Sequence, residues 1–270
     1  MELITEWVTF GSGRHASFSV RPAAVSTPLP TVIVIQEAWG VDAHIEDVAS
    51  RFAMAGYAAV APDLFWADGA RPPGLVPERT AVAKRLLDQY PGAWQDPGER
   101  EAALAELPEQ QRDDVAETLA AVSAAIGDLD THVDTLRANI NRLVSLPLVH
   151  AARYGSVGFC VGGALVGRLA TMEPRLGCGV IFYGAPPPAD HRAAISCPLL
   201  GFYGGDDERI TSQVPEFAAG LEAAGKSFEY YVYPAAPHAF FNDTRIRYRV
   251  DPARDAWARS LTFFARHLGP

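Results

Sequence analysis

Apolar residues recur along this chain in two patterns, and their alternation predicts the architecture. Residues 4–10 and 15–21 carry β-like runs, and the Gly-Ser-Gly of 11–13 between them suits a hairpin turn. Residues 31–36 (TVIVIQ) are apolar almost without interruption, which predicts a central strand covered on both faces rather than one with a wet side. Over 42–57 the apolar positions Ile45, Val48, Phe52 and Ala55 fall with helical spacing, and 58–64 reads as the next strand, completing a βαβ unit. After Phe65 the pattern lapses into a polar stretch, 66–112, too long for a plain connection and read as an insertion or lid. Periodicity returns with a helix at 114–149, a buried strand at 154–159 and a helix at 161–172. Strands at 178–183, 199–203 and 228–233 and helices at 215–224 and 253–267 follow. The alternation predicts an α/β fold with a mostly parallel central sheet flanked by helices on both faces. Neither a repeat nor a linker divides it, so one domain over 1–270 is expected.

Composition narrows the function classes. With 270 residues, 49% hydrophobic and 20% charged, the chain can bury roughly three quarters of its unfolded surface, enough for a core without disulfides or metal. The 32 acidic against 23 basic side chains give a net charge of -9, which disfavours a nucleic-acid partner. No stretch approaches the roughly 18 uninterrupted apolar residues of a membrane span, and residues 1–6 lack the basic-then-apolar order of a signal peptide. No membrane association and a cytoplasmic location are therefore expected. Three cysteines, Cys160, Cys178 and Cys197, are too few for a disulfide framework or a four-cysteine zinc site, so a cysteine that matters here matters as a thiol.

Three motif matches fail on context. Residues 220–227 (GLEAAGKS) match the phosphate-loop pattern, but helix precedes and strand follows, the reverse of what phosphate binding needs. Residues 11–16 resemble a dinucleotide fingerprint but lead into a strand. The glycosylation sequon at Asn242 means nothing in a cytoplasmic chain.

The segment 154–163 (YGSVGFCVGG) is different. A strand ends in Gly158-Phe-Cys160-Val-Gly162 and a helix begins, which is the nucleophile-elbow pattern with Cys in place of Ser. The sharp turn requires side-chain-free neighbours two residues either side of the nucleophile, and the helix N-terminus favours a thiolate and an oxyanion. A thiol nucleophile also needs a base and an orienting acid, in the chain order nucleophile, acid, His. The strand at 199–203 ends at Asp206 and Asp207, either of which could face the His, and the strand at 228–233 leads to His238. All three groups fall at strand C-terminal ends, where open α/β sheets carry their sites.

On these residues the chain resembles the dienelactone hydrolase family of α/β hydrolases. The resemblance rests on Gln36-Glu-Ala-Trp-Gly40, Ala61-Pro-Asp-Leu64, Gly158-Phe-Cys-Val-Gly-Gly163, Tyr203-Gly-Gly-Asp-Asp-Glu-Arg-Ile210, and the segment from Tyr233 through His238 to Thr244. It implies an α/β-hydrolase fold with Cys160 as nucleophile, His238 as base and Asp207 as the orienting acid. Glu37 would pair with the resting thiol and help release the thiolate. The oxyanion hole would be the backbone N–H groups of Ala38 and Val161, and Trp39 would line the pocket. The family's carboxylate-binding Arg is replaced here by Asn242, expected to contact substrate and to favour neutral ones, with Arg71, Arg79 and Arg209 as possible anion contacts. The expected activity is hydrolysis of a lactone or small carboxylic ester through a cysteine acyl-enzyme, needing no metal or organic cofactor. A thioesterase or general carboxylesterase on the same triad, and a non-enzymatic redox-sensing protein using Cys160, are the alternatives.

Overall fold

The computed structural model describes residues 1–143 and 149–269. Eight strands form one sheet: β1 (Leu3–Phe10), β2 (His15–Pro22), β3 (Leu29–Ile35), β4 (Ala58–Pro62), β5 (Val149–Phe159), β6 (Gly179–Phe182), β7 (Leu199–Gly204) and β8 (Phe228–Tyr233). Their order is β1-β2-β4-β3-β5-β6-β7-β8, with β1 and β2 antiparallel to their neighbours and every other pairing parallel. The 11–16 motif is the hairpin turn between β1 and β2.

The unbroken apolar run of β3 is explained by its two covers. Val32 and Val34 face one layer, where Val48 and Phe52 of α1 (Ala43–Met54) meet Phe263 and Phe264 of α9 (Val250–Leu268). Ile33 and Ile35 face the other, built by α5 (Leu129–Leu143), α6 (Val161–Met172) and α8 (Val214–Ala223) through Leu136, Ile140, Leu165, Leu169, Phe217 and Leu221. With both faces packed, the period-two alternation of polarity disappears. α1 starts where Asp42 accepts hydrogen bonds from the N–H groups of His44 and Ile45, satisfying donors that the first helical turn leaves free.

One expectation is corrected. The helix expected at 114–149 is two helices: α4 (Glu109–Gly127) and α5, separated at Asp128. The Asp128 carboxylate accepts from Thr131 N–H at 3.1 Å, capping α5, so the Asp-Leu-Asp-Thr stretch was a start signal inside a periodic run. Residues 144–148 of that expected helix lie outside the described residues, and Val149 already belongs to β5. The stretch 66–112, expected as an insertion or lid, is helical. It folds into single 3-10 turns at Pro73–Leu75 and Pro91–Trp94, α2 (Pro77–Gln89) and α3 (Pro97–Ala105), and with α4 it forms a helical cap ending near Gly127. The cap has its own buried core of Leu75, Ala83, Leu86, Leu87, Val115, Leu119 and Val122, which closes over Trp39 and Phe65 from the sheet side. Small Ala positions let these helices pack closely while contributing little to hydrophobic patterning, which is why the stretch reads as polar. Ion pairs Arg71–Asp63 (2.6 Å), Lys84–Asp42 (2.8 Å) and Arg245–Asp88 (2.6 Å) tie the cap down. Among the described residues no helix is long and apolar enough to cross a membrane.

Candidate active site

The turn after β5 determines where the thiol sits. Cys160 has φ +56°, a backbone state that L-residues avoid, and α6 begins at the next residue. Its glycine neighbours are a steric necessity: a Cβ on Gly158 would lie 2.0 Å from Gly162 O, and one on Gly162 would lie 2.4 Å from Gln36 O. The second contact also shows why Cys160 and Glu37 are neighbours. β3 and β5 run parallel in register, with Ile35 opposite Gly158, so both chains leave the sheet at the same level.

The loops after β7 and β8 are laced together. Gly205 N–H donates to Tyr233 O at 2.8 Å and Asp206 N–H to Ala236 O at 3.0 Å. This brings Asp207, 8% exposed, to His238, whose Nδ1 lies 2.5 Å from Asp207 Oδ2. Asp206 is exposed, so of the two acids only Asp207 meets the imidazole. Burial by itself pulls the His238 pKa down, but negative charge on the Cys160 sulfur and the hydrogen bonds to Asp207 and Cys160 outweigh it, pushing the value up to about 10. The ring therefore sits between the acid that fixes it and the elbow sulfur.

Glu37 is 4% exposed, and both of its carboxylate oxygens are occupied. Tyr183 OH donates to Oε1 at 3.0 Å and Asn242 Nδ2 donates to Oε2 at 2.7 Å. The Asn242 amide cannot be reversed, because its Oδ1 accepts from Thr244 N–H at 3.1 Å and Thr244 Oγ1–H at 2.7 Å. Tyr183, at φ +41° just past β6, is fully buried with its ring centroid 5.0 Å from that of His238. Burial first, then the charge of Glu37, holds its phenol well above the ordinary value, so it stays a donor. Sequence reasoning missed Tyr183; the available signal was a polar aromatic ending an apolar strand at the same sheet edge.

A cavity of about 780 Å³ opens over these groups. Cys160, His238, Asp207, Glu37, Ala38, Trp39 and Val161 all line it. Val161 is the first residue of α6, so its N–H has no acceptor within the helix and is free to meet an oxyanion. Asn242 does not line the cavity. It is fully buried behind Glu37, which removes the expected substrate contact and makes the sequon chemically inaccessible. Arg71, bound to Asp63 and to Val41 O, and Arg79, bound to Asp114 and Glu117, do not line the cavity. Arg209 does line the cavity, as do Arg245 and Arg247, which the sequence reading did not single out. Cys178 and Cys197 are buried, and burial raises both thiols, that of Cys197 to about 12. The residues 220–227 run from α8 through Gly225 into β8, so no helix N-terminus faces a phosphate there. Among the described residues no cluster of His, Cys, Asp and Glu side chains is arranged to hold a metal ion.

A sequence model of the dienelactone hydrolase family matches residues 16–268. The chain belongs to this family. Like other dienelactone hydrolase family members it is a hydrolase with the α/β-hydrolase fold. A Saccharolobus solfataricus protein named "Putative carboxymethylenebutenolidase" is 32% identical over 247 residues, covering 90% of this chain and 92% of that protein. A protein of the same name from Escherichia coli strain K12 is 30% identical over 264 residues, covering 94% and 83%. Among solved structures, a dienelactone hydrolase from Anabaena variabilis superimposes with a TM-score of 0.61 at 16% identity, covering 99% of this chain and 98% of that one. The Klebsiella pneumoniae protein described as a "Putative Dienelactone Hydrolase" superimposes with a TM-score of 0.66 at 28% identity, covering 98% and 100%.

Proposed function

We propose that this family member hydrolyses a lactone or carboxylic ester through a thioester on Cys160. The observation that carries the reading is the contact of His238 Nδ1 with Asp207 on one side of the ring while its other side faces the elbow cysteine. The Cys160 sulfur attacks the ester carbonyl carbon, and the resulting oxyanion is met by the N–H groups of Val161 and Ala38. As the C–O bond breaks, the His238 imidazolium gives its proton to the departing alkoxide, which in a lactone stays attached to the acyl group. His238, now neutral, takes a proton from water as the hydroxide adds to the thioester, and collapse expels the thiolate and releases the acid. Asp207 keeps the Nδ1 proton in place, so that Nε2 does the transfers. Glu37, held by two neutral donors, lines the same cavity as Cys160 and positions Tyr183 against His238.

The cap over 66–127 serves in this reading as the far wall of the pocket within one domain, and the substrate is a small molecule. Intact-mass measurement after mixing with a panel of lactones and activated esters tests the proposal. An acyl adduct on Cys160 and loss of turnover in Cys160→Ala are expected; wild-type kcat/KM in Cys160→Ala would refute it.

A further inference from the structure

The reacting groups occupy only the sheet side of the cavity. The lining contributed by the cap and by the start of α5 is largely apolar: Leu87 from α2, Trp94 from the turn after it, Ile126 at the end of α4 and Leu129 of α5, with Gln95 as the polar exception. Trp94 is the notable member. Its neighbour Ala93 is fully buried, yet the indole stays half-exposed and lines the cavity. Its ring meets that of Trp39 edge to face, at a centroid distance of 5.8 Å and an interplanar angle of 66°, and the part of the indole not covered this way borders the cavity. The turn is held in shape by Arg100, which donates to Ala93 O at 2.9 Å and Trp94 O at 2.8 Å. A volume of about 780 Å³ lies within the range of roughly 300–1,000 Å³ that accommodates drug-sized ligands. A bare lactone ring would leave most of this space, and the whole cap wall, in contact with water.

We infer that the substrate carries a bulky apolar body of aromatic size which lies against the cap, and that Trp94 is the residue that selects it. This rests on the ester-hydrolase reading above. The ester carbonyl reaches Cys160 while the body lies against Trp94 on the cap side of the cavity, so the interaction is made remote from the reacting atoms and acts chiefly on KM.

Two ester series on the full-length protein test the inference. One varies the acyl side: 4-nitrophenyl acetate, phenylacetate and naphthylacetate. The other varies the alcohol side: ethyl, benzyl and naphthylmethyl acetates. In at least one series kcat/KM should rise about tenfold or more with ring size, the scale on which apolar pockets discriminate. Trp94→Ala should cancel that rise, mostly through KM, and Trp94→Phe should retain most of it. A merely structural role would instead lower small and bulky esters alike. Competition needs no variant: 1-naphthylacetamide should inhibit wild-type turnover of 4-nitrophenyl acetate at least tenfold more strongly than acetamide. A preference for the smallest ester in both series, equal losses on small and bulky esters in Trp94→Ala, or equal inhibition by the two amides overturns the inference. Failure of the underlying hydrolase reading looks different, since no ester in either series would then show turnover abolished by Cys160→Ala, and the inference would fall with it.

Discussion

Replacing Asn242 by Ala isolates what this residue does. In the folded chain its Nδ2 lies 2.7 Å from Glu37 Oε2, and both groups are out of solvent, at 0% and 4% exposure. Truncation removes one of the two hydrogen bonds that Glu37 receives and leaves a buried carboxylate oxygen without a donor, because Tyr183 serves only the other oxygen. Hydrogen bonds to charged groups contribute about 1.5–3 kcal/mol to stability, and an unmet buried acceptor costs a similar amount. For a chain of this size that range corresponds to a fall in Tm of about 3–12 °C. Urea unfolding of wild type, Asn242→Ala, Glu37→Gln and the double variant gives the coupling directly. A coupling energy of at least about 1 kcal/mol is expected for two groups in contact. Asn242→Asp should be worse than Ala, and increasingly so as the pH rises, because it sets a second carboxylate against Glu37. If Asn242→Ala instead left stability within about 0.5 kcal/mol of wild type, a margin typical of surface positions, and changed only KM, the residue would belong to the substrate site and the reasoning here would be wrong.

Asp207→Asn should lower kcat by about 10⁴ by releasing the wrong His238 tautomer, while Asp206→Asn, at an exposed position, should change it little; the reverse order in steady-state kinetics would exchange their roles. Because the His238 pKa is raised to about 10 from 6.5, the stability contributed by the charged ring is full below about pH 6.5 and is lost as the pH climbs toward 10. The stability gap between wild type and His238→Gln, measured across that window, should therefore narrow with rising pH. Gly158→Ala forces a Cβ to within 2.0 Å of Gly162 O, and the displaced elbow should cost at least about 100-fold in kcat/KM even where the variant folds. Deleting 66–112 should unfold the protein in thermal melts, since the segment supplies Leu75, Leu86 and Leu87 to the core that covers Trp39 and Phe65; a stable deletion variant with altered substrate range would restore the reading of this stretch as a dispensable lid.

Local pattern was enough for the frame of the fold. Continuous apolar runs such as 31–36 mark strands covered on both faces, because burial on two sides removes any reason for polar alternation. Gly158-Phe-Cys160-Val-Gly162 marks the elbow, because the turn folds Gly158 against Gly162 and presses Gly162 against Gln36, leaving no room for a side chain at either glycine. The placement of Cys160 and His238 at one edge was readable for the same reason: each ends or follows a strand, and a parallel sheet collects its strand ends at one edge. What could not be read is who touches whom across that edge. Asn242 meets Glu37 from 205 residues away and Tyr183 meets it from 146, separations that only the sheet order brings to hydrogen-bond distance. The residues alone left Asp206 and Asp207 open and the family resemblance favoured Asp207; the loop-to-loop lacing is what brings that residue to His238. The core of the cap followed from packing, where Ala-rich helices of weak polarity pattern become buried once Trp39 and Phe65 give them a surface to cover, whereas the helix break at Asp128 was a local capping signal masked by the surrounding periodicity. Sequence determines which residues are able to be inside and which backbone turns are permitted; the register of the sheet and the closure of the cap decide which of those residues become neighbours.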